Sequence, residues 1–166
     1  MPVVGGALYA PPVDAMIAGF KYGDRSDFAG ALASLIPEPP ERSRDTWLVP
    51  VPLHPKRLRE RRYDQAALLG RALARRWQLP LVPRALVRAR ATNQQASLDA
   101  HARSANVAGA FRAARPNQLS GHEVVLVDDV LTTGATAQAC IECLVRSGAR
   151  VLAVACVAVT ERSHAG

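Results

Sequence analysis

The feature that most restricts this chain is the run Val124-Val125-Leu126-Val127, followed at once by Asp128-Asp129 and then by Leu131-Thr132-Thr133-Gly134-Ala135-Thr136. Four consecutive apolar residues, three of them β-branched, read as a strand covered on both faces, as in a parallel sheet. The residues from Ala135 to Ser147 have helical composition. The acids and the hydroxyl-rich turn therefore fall at the carboxyl end of the strand, the edge where open α/β sheets bind ligands. A helix start leaves unpaired N–H groups and a partial positive charge, so an anion placed at Thr132 to Thr136 meets several donors at once. Gly134 lets the backbone approach such a guest or adopt positive φ, and the threonine hydroxyls add donors. Asp128 and Asp129 would repel the same anion. Their partners are the hydroxyls of a ribose or a divalent cation held in the same place. A phosphorylated sugar satisfies both halves of the string. The plainer reading makes the acids a solvated strand end and the threonines an ordinary N-cap; it accounts for each residue alone but not for their succession. A P-loop does not fit, because no Lys follows Gly134.

The rest of the chain is compatible with one α/β domain. Its 166 residues suit a single domain, 1–166, with a helical segment over 1–40 and a core over 45–160. Val13, Met16, Ile17 and Phe20 recur at helical spacing between Pro11-Pro12 and Gly23, and a second helix is expected from about Ser26 to Ile36. Pro37 to Ser43 breaks regular structure. A strand from Trp47 to Val51 precedes a helix whose apolar stripe is Tyr63, Ala66, Ala67, Gly70, Leu73, Ala74 and Trp77. Leu86 to Ala110 has no strong periodicity and reads as a mobile loop. The motif helix closes at Ser147-Gly148, before a last strand from Val151 to Val159. Strands separated by helices imply right-handed crossovers and a parallel sheet.

Met1 to Gly6 lack a basic region followed by an apolar signal core, and the longest apolar run, Val151 to Val159, is too short for a bilayer, so a cytoplasmic location without a membrane partner is expected. Cys140, Cys143 and Cys156 cannot all pair, and Cys140-x-x-Cys143 lies inside a helix without a second ligand pair; the three read as buried small hydrophobes in a reducing compartment.

The string Val124 to Thr136 resembles the phosphoribosyl pyrophosphate (PRPP) motif of the type I phosphoribosyltransferases. More closely, the chain resembles the ComF family of competence-associated, phosphoribosyltransferase-like proteins. The residues that carry this are Val49-Pro50-Val51-Pro52-Leu53-His54-Pro55-Lys56-Arg57-Leu58-Arg59-Glu60-Arg61-Arg62 and Tyr63-Asp64-Gln65-Ala66. Phe20-Lys21-Tyr22-Gly23-Asp24-Arg25, Thr92-x-x-Gln95-x-x-Leu98, Arg103, Asn106 and Ala110-Phe111 follow the family's order, so the likeness runs nearly end to end. The family usually carries a four-cysteine zinc ribbon ahead of the transferase domain; this chain begins too close to Ala7-Leu8-Tyr9-Ala10 to hold one.

The resemblance implies a type I phosphoribosyltransferase fold: a twisted, mostly parallel sheet flanked by helices, with a flexible hood loop. It implies PRPP as ligand and Mg²⁺ as cofactor. Asp128 and Asp129 would be the catalytic acids, engaging ribose and, indirectly through it, the metal. Thr132, Thr133, Gly134, Ala135 and Thr136 would hold the 5′-phosphate. Leu53, His54, Lys56 and Arg57 would hold pyrophosphate. A nitrogen nucleophile would attack the anomeric carbon while Mg²⁺ and basic groups offset the charge growing on pyrophosphate. Water would consume the ribosyl cation, so a closing loop is expected over Arg88 to Asn106, with Gln95 and Arg103 reaching inward. Purine-salvage relatives place an acid where Thr132 stands; its lack argues against a purine and leaves the acceptor open. The fold family often dimerises, and the apolar residues of the first helix offer a face for a homodimer.

A non-enzymatic alternative rests on charge. The net charge is +7, the sequence pI is about 10.2, and Arg57, Arg59, Arg61 and Arg62 form a dense run. Such a surface suits single-stranded DNA, or a role beside the competence machinery in DNA uptake. The aromatic side is poor: Trp47 and Trp77 read as core, and only Tyr9, Tyr22 and Tyr63 remain for base stacking, with core or cap the plainer reading of each.

Overall fold

The computed structural model describes residues 2–23, 25–53, 58, 63–89, 107 and 109–160. Its centre is a four-stranded sheet in the order β1-β6-β5-β2, with every neighbouring pair parallel. The strands are β1 (Val3–Leu8), β2 (Trp47–Pro50), β5 (Glu123–Leu131) and β6 (Arg150–Val159). Two short strands, β3 (Leu86–Arg88) and β4 (Phe111–Ala113), pair antiparallel beside it.

Strand alternation divides the core into two layers. Val124, Leu126, Val154 and Cys156 face the helix α5 (Ala135–Arg146) and the β3–β4 pair. Val125, Val127, Ala155 and Val157 face α1 (Val13–Tyr22), α2 (Phe28–Leu35) and α3 (Gln65–Trp77). A one-turn helix, α4 (Pro116–Leu119), leads into β5. Each fully buried Val or Leu contributes about 1.5–3 kcal/mol relative to exposure, and this two-sided burial is what an unbroken apolar strand requires.

Several expectations hold: β2 begins at Trp47, α2 falls within the range from Ser26 to Ile36, α3 lies where its apolar spacing places it, Trp77 is buried, and α5 starts just after Gly134. Others are corrected. Residues 3–8 form an edge strand, hidden from pattern reading because Gly5-Gly6 is poor strand sequence; a Cβ on Gly6 would stand 2.7 Å from the Leu35 carbonyl oxygen, so glycine is what lets α2 approach β1. β5 does not end at the acids: Val130 and Leu131 continue it, in register with Ala158 and Val159. Leu86–Arg88, expected in a loop, is strand β3; residues 90–106 of that loop lie outside the described residues. On α1, Ile17 and Phe20 of the expected dimer face are fully buried in the chain's own core, and Val13 and Met16 are half-buried against it. Among the described residues, no helix is long and apolar enough to cross a membrane.

Candidate functional site

At the carboxyl end of the parallel sheet a cavity of about 350 Å³ opens between the ends of β5, β6 and α1, the segment after β2 and the start of α3. Asp128, Asp129, Thr132 and Thr136 border it from the β5–α5 connection. Leu53 borders it from the segment after β2, and Asp64 and Gln65 from the start of α3. Crossover topology brings these segments to one edge although more than sixty residues separate Asp64 from Asp128.

The two acids do not form a side-by-side couple. Adjacent strand residues point to opposite faces, and accordingly Asp129 Oδ2 lies 3.0 Å from Lys21 Nζ of α1. Asp128 stands on the α5 side, where burial chiefly, and then the Asp128 charge, push the Cys140 thiol well above its usual range. Both acids nevertheless border the same cavity. Burial first, and then the Asp129 charge, raise the Asp128 carboxyl to about 7, against the stabilising Asp129 backbone N–H at 2.8 Å and Lys21. Asp64 is also held above the usual carboxylate range by burial, even though its Oδ1 accepts the Ala67 N–H at 2.9 Å and caps α3. Its other oxygen accepts from the Leu53 N–H at 3.5 Å, tying the segment after β2 to α3.

The turn from β5 into α5 is built for an open helix start. Gly134 sits at φ 75°, in the left-handed region, and offers no side chain to cap α5; the Thr133 hydroxyl accepts only the Ala135 N–H, at 3.5 Å. A Cβ on Gly134 would meet nothing within 4 Å, so its exposed side is empty space. Thr133 and Thr132 are exposed, and Gly134, Ala135 and Thr136 half-buried. The end of β6 fixes the turn, with the Thr160 N–H donating to the Leu131 carbonyl at 3.0 Å and the Thr160 hydroxyl to that of Thr132 at 3.3 Å.

Of the expected site residues, Asp128, Asp129, Thr132, Thr136 and Leu53 share the cavity wall, and Thr133, Gly134 and Ala135 form the adjoining turn. His54, Lys56, Arg57, Gln95 and Arg103 lie outside the described residues. The sequence reading missed Lys21, Asp64 and Arg88 as cavity residues. All three stood inside segments already singled out, Phe20–Arg25, Tyr63–Ala66 and Arg88–Asn106, and only tertiary contact shows where their charges go. Tyr9 and Tyr22, read as core or cap, are instead 44% and 75% exposed at the cavity. Tyr63 fits that reading, its hydroxyl donating to the Phe20 carbonyl at 2.7 Å. The cysteines are buried, and burial pushes the Cys156 thiol up to about 12. Among the described residues no three His, Cys, Asp or Glu side chains are arranged to hold a metal ion.

A phosphoribosyl transferase domain model matches residues 64–165, which include every cavity residue from Asp64 onward. The DNA utilization protein YhgH of Escherichia coli (strain K12) is 36% identical over 161 residues, covering 93% of this chain and 70% of that protein. Competence protein F of Haemophilus influenzae is 32% identical over 136 residues, 77% of this chain and 59% of the relative. Competence protein ComFC of Bacillus subtilis is 30% identical over 124 residues, 75% of this chain and 46% of the relative. With that domain over more than half its length, the chain belongs to the phosphoribosyltransferase family, among its ComF-type, competence-associated members.

Proposed function

We propose that this chain binds PRPP, or a ligand with the same ribose 5-phosphate core, and transfers or senses the phosphoribosyl group. The observation that carries the reading is the placement of Asp128, Asp129 and the glycine-led start of α5 around one cavity. The 5′-phosphate takes the N–H groups and hydroxyls from Thr132 to Thr136, with Gly134 leaving room for its approach. Ribose hydroxyls donate to Asp128 and Asp129. The segment from Leu53 to Arg57 receives pyrophosphate, and Gln95 and Arg103 belong to the loop that screens the site from water.

The donor set suits a Mg²⁺ that arrives with the ligand rather than one held by protein alone: one Asp129 oxygen already faces an ammonium, and no three-residue ligand group surrounds the acids among the described residues. Asp128 and Asp129 would hold it through the ligand's oxygens, and the ion would supply positive charge to the leaving pyrophosphate. The chain's own contribution is to orient the ribose between the β5 acids and the α5 turn. Thr132 supplies no carboxylate base, which favours an acceptor that needs no proton removed at that point.

Thermal melting tests the reading. PRPP with Mg²⁺ raises the melting temperature of the wild type, and Asp129→Ala or Thr133→Ala removes the shift. No shift in the wild type rejects it. A screen of bases and amines for pyrophosphate release then identifies the acceptor.

A second reading draws on relatives named for DNA utilization and competence and on the +7 charge. Here the chain acts beside the DNA-uptake machinery and binds single-stranded DNA. Oligonucleotide affinity then falls steeply with salt, survives Asp129→Ala and is lost when Arg59, Arg61 and Arg62 are replaced. Affinity indifferent to the arginines rejects that surface.

A further inference from the structure

Lys21 is the unexpected member of the site. It occupies the last turn of α1, and its ammonium crosses to Asp129 on β5 at 3.0 Å. The position is fixed rather than incidental. Phe20, the preceding residue, is fully buried, stacks obliquely on Tyr63 with ring centroids 5.8 Å apart, and accepts the Tyr63 hydroxyl on its carbonyl. Tyr63 leads directly into Asp64, so one cluster positions Lys21 and the start of α3 together. The Lys21 side chain is 21% exposed and that of Asp129 14%, which removes the pair from much of the screening that weakens surface ion pairs. Around the cavity the described charges are three carboxylates, Asp64, Asp128 and Asp129, against Lys21 and Arg88.

We propose that Lys21 is a tethered counter-ion: its ammonium fills the cation position at Asp129, so that the acids receive a ribose without a divalent cation bound to the protein. The proposal rests on the ribose-phosphate reading above and adds a positioning residue to it. Removing the ammonium leaves the Asp129 carboxylate without its partner at 3.0 Å, and a divalent ion from solution takes the place of that charge. Lys21 thereby confines the need for metal to the pyrophosphate half of the ligand. A ligand without pyrophosphate should then bind with no metal at all.

Ribose 5-phosphate is that probe, and calorimetry on the full chain is the measurement. The wild type binds it equally, within about two-fold, in EDTA and in millimolar Mg²⁺. Lys21→Met and Lys21→Gln lose about ten-fold or more in EDTA, in keeping with removal of one close charge partner, and recover most of it in Mg²⁺. Lys21→Arg keeps the wild-type pattern. In the absence of any sugar, Mn²⁺ followed by electron paramagnetic resonance binds Lys21→Met and Lys21→Gln about ten-fold more tightly than the wild type. Variants that bind ribose 5-phosphate in EDTA as tightly as the wild type overturn the proposal. A loss that Mg²⁺ does not restore also overturns it, since Lys21 would then be contacting the ligand itself. A wild type that ignores ribose 5-phosphate with or without Mg²⁺ rejects the ribose-phosphate reading instead. The Mn²⁺ titration then judges Lys21 alone, and equal Mn²⁺ affinity in wild type and variants rejects the counter-ion.

Discussion

Strand β5 carries an ion pair at each end, and the two are opposites in everything but chemistry. At its start Glu123 meets Arg150 on the adjacent strand β6 at 2.7 Å, with the Arg150 side chain 69% exposed and a Thr46 hydroxyl 3.4 Å from the other carboxylate oxygen. At its far end Asp129 meets Lys21 at 3.0 Å, across from sheet to helix, with both partners mostly covered. The first pair is balanced, and its Arg150 end stands in water. The second stands beside Asp128 and Asp64, whose carboxyls burial has pushed upward, so carboxyl groups outnumber the Lys21 and Arg88 cations among the described cavity residues. A matched pair at a sheet end closes off a surface. An over-supplied one, beside an open helix start, leaves hydrogen-bond demand that a polyol phosphate can meet.

Neutralising each end in turn should separate the two most strongly. With PRPP and Mg²⁺ at about a hundred times Kd, ligand binding adds about 2.7 kcal/mol of stability. For a chain of this length that is a rise of roughly 5–10 °C in Tm. Asp129→Asn should abolish the rise, while Glu123→Gln should retain it within about a degree. Equal loss in both variants would make the far-end pair no more a ligand site than the near one.

A pH titration sharpens the contrast without any ligand. Unfolded, the Asp128 carboxyl ionises near its ordinary 3.8; folded, it keeps its proton up to about 7. Between those values the native chain binds more protons than the unfolded one, so stability falls as pH rises through that window and levels off above it. Asp128→Asn should flatten this dependence and, above pH 7, stand above the wild type by about 2 kcal/mol in denaturant unfolding. A wild-type profile already flat from pH 4 to 7 would show that burial does not hold the proton on Asp128.

How much of this was legible beforehand follows from what each signal depends on. Val124 to Val127 announced a two-face-covered strand because burial on both sides leaves no room for polar residues, and Thr132 to Thr136 announced a helix start because Gly and Thr have specific uses there. Those are local properties. β1 was illegible because its pairing with β6, rather than its own Gly-Gly sequence, makes it a strand. The Lys21–Asp129 contact was illegible for the same reason, since no spacing relates position 21 to position 129. Even the opposed directions of Asp128 and Asp129 were implicit in strand alternation, but only once β5 was known to run on through Val130 and Leu131.

Gly134 tests the turn that adjoins the far-end pair. An added Cβ meets no neighbour, so Gly134→Ala has only the left-handed backbone at φ 75° to oppose it, a cost of about 1 kcal/mol. The methyl group would project into the open space assigned to the phosphate. Unfolding measurements should show that modest loss, together with at least a partial loss of the PRPP shift; an unchanged shift would move the phosphate elsewhere.

The smallest effect belongs to the near end. Arg150→Ala removes a cross-strand partner that is largely in water, where such pairs contribute about 0.2–1 kcal/mol. Glu123 keeps its Thr46 contact and can be hydrated, so no buried charge is stranded. Tm should fall by no more than about 3 °C, the fall should shrink further in molar salt, and the ligand-induced shift should be intact. A larger, salt-insensitive loss would mean that the Glu123–Arg150 pair is shielded after all, and the difference between the two ends of β5 would then lie only in the cavity beside one of them.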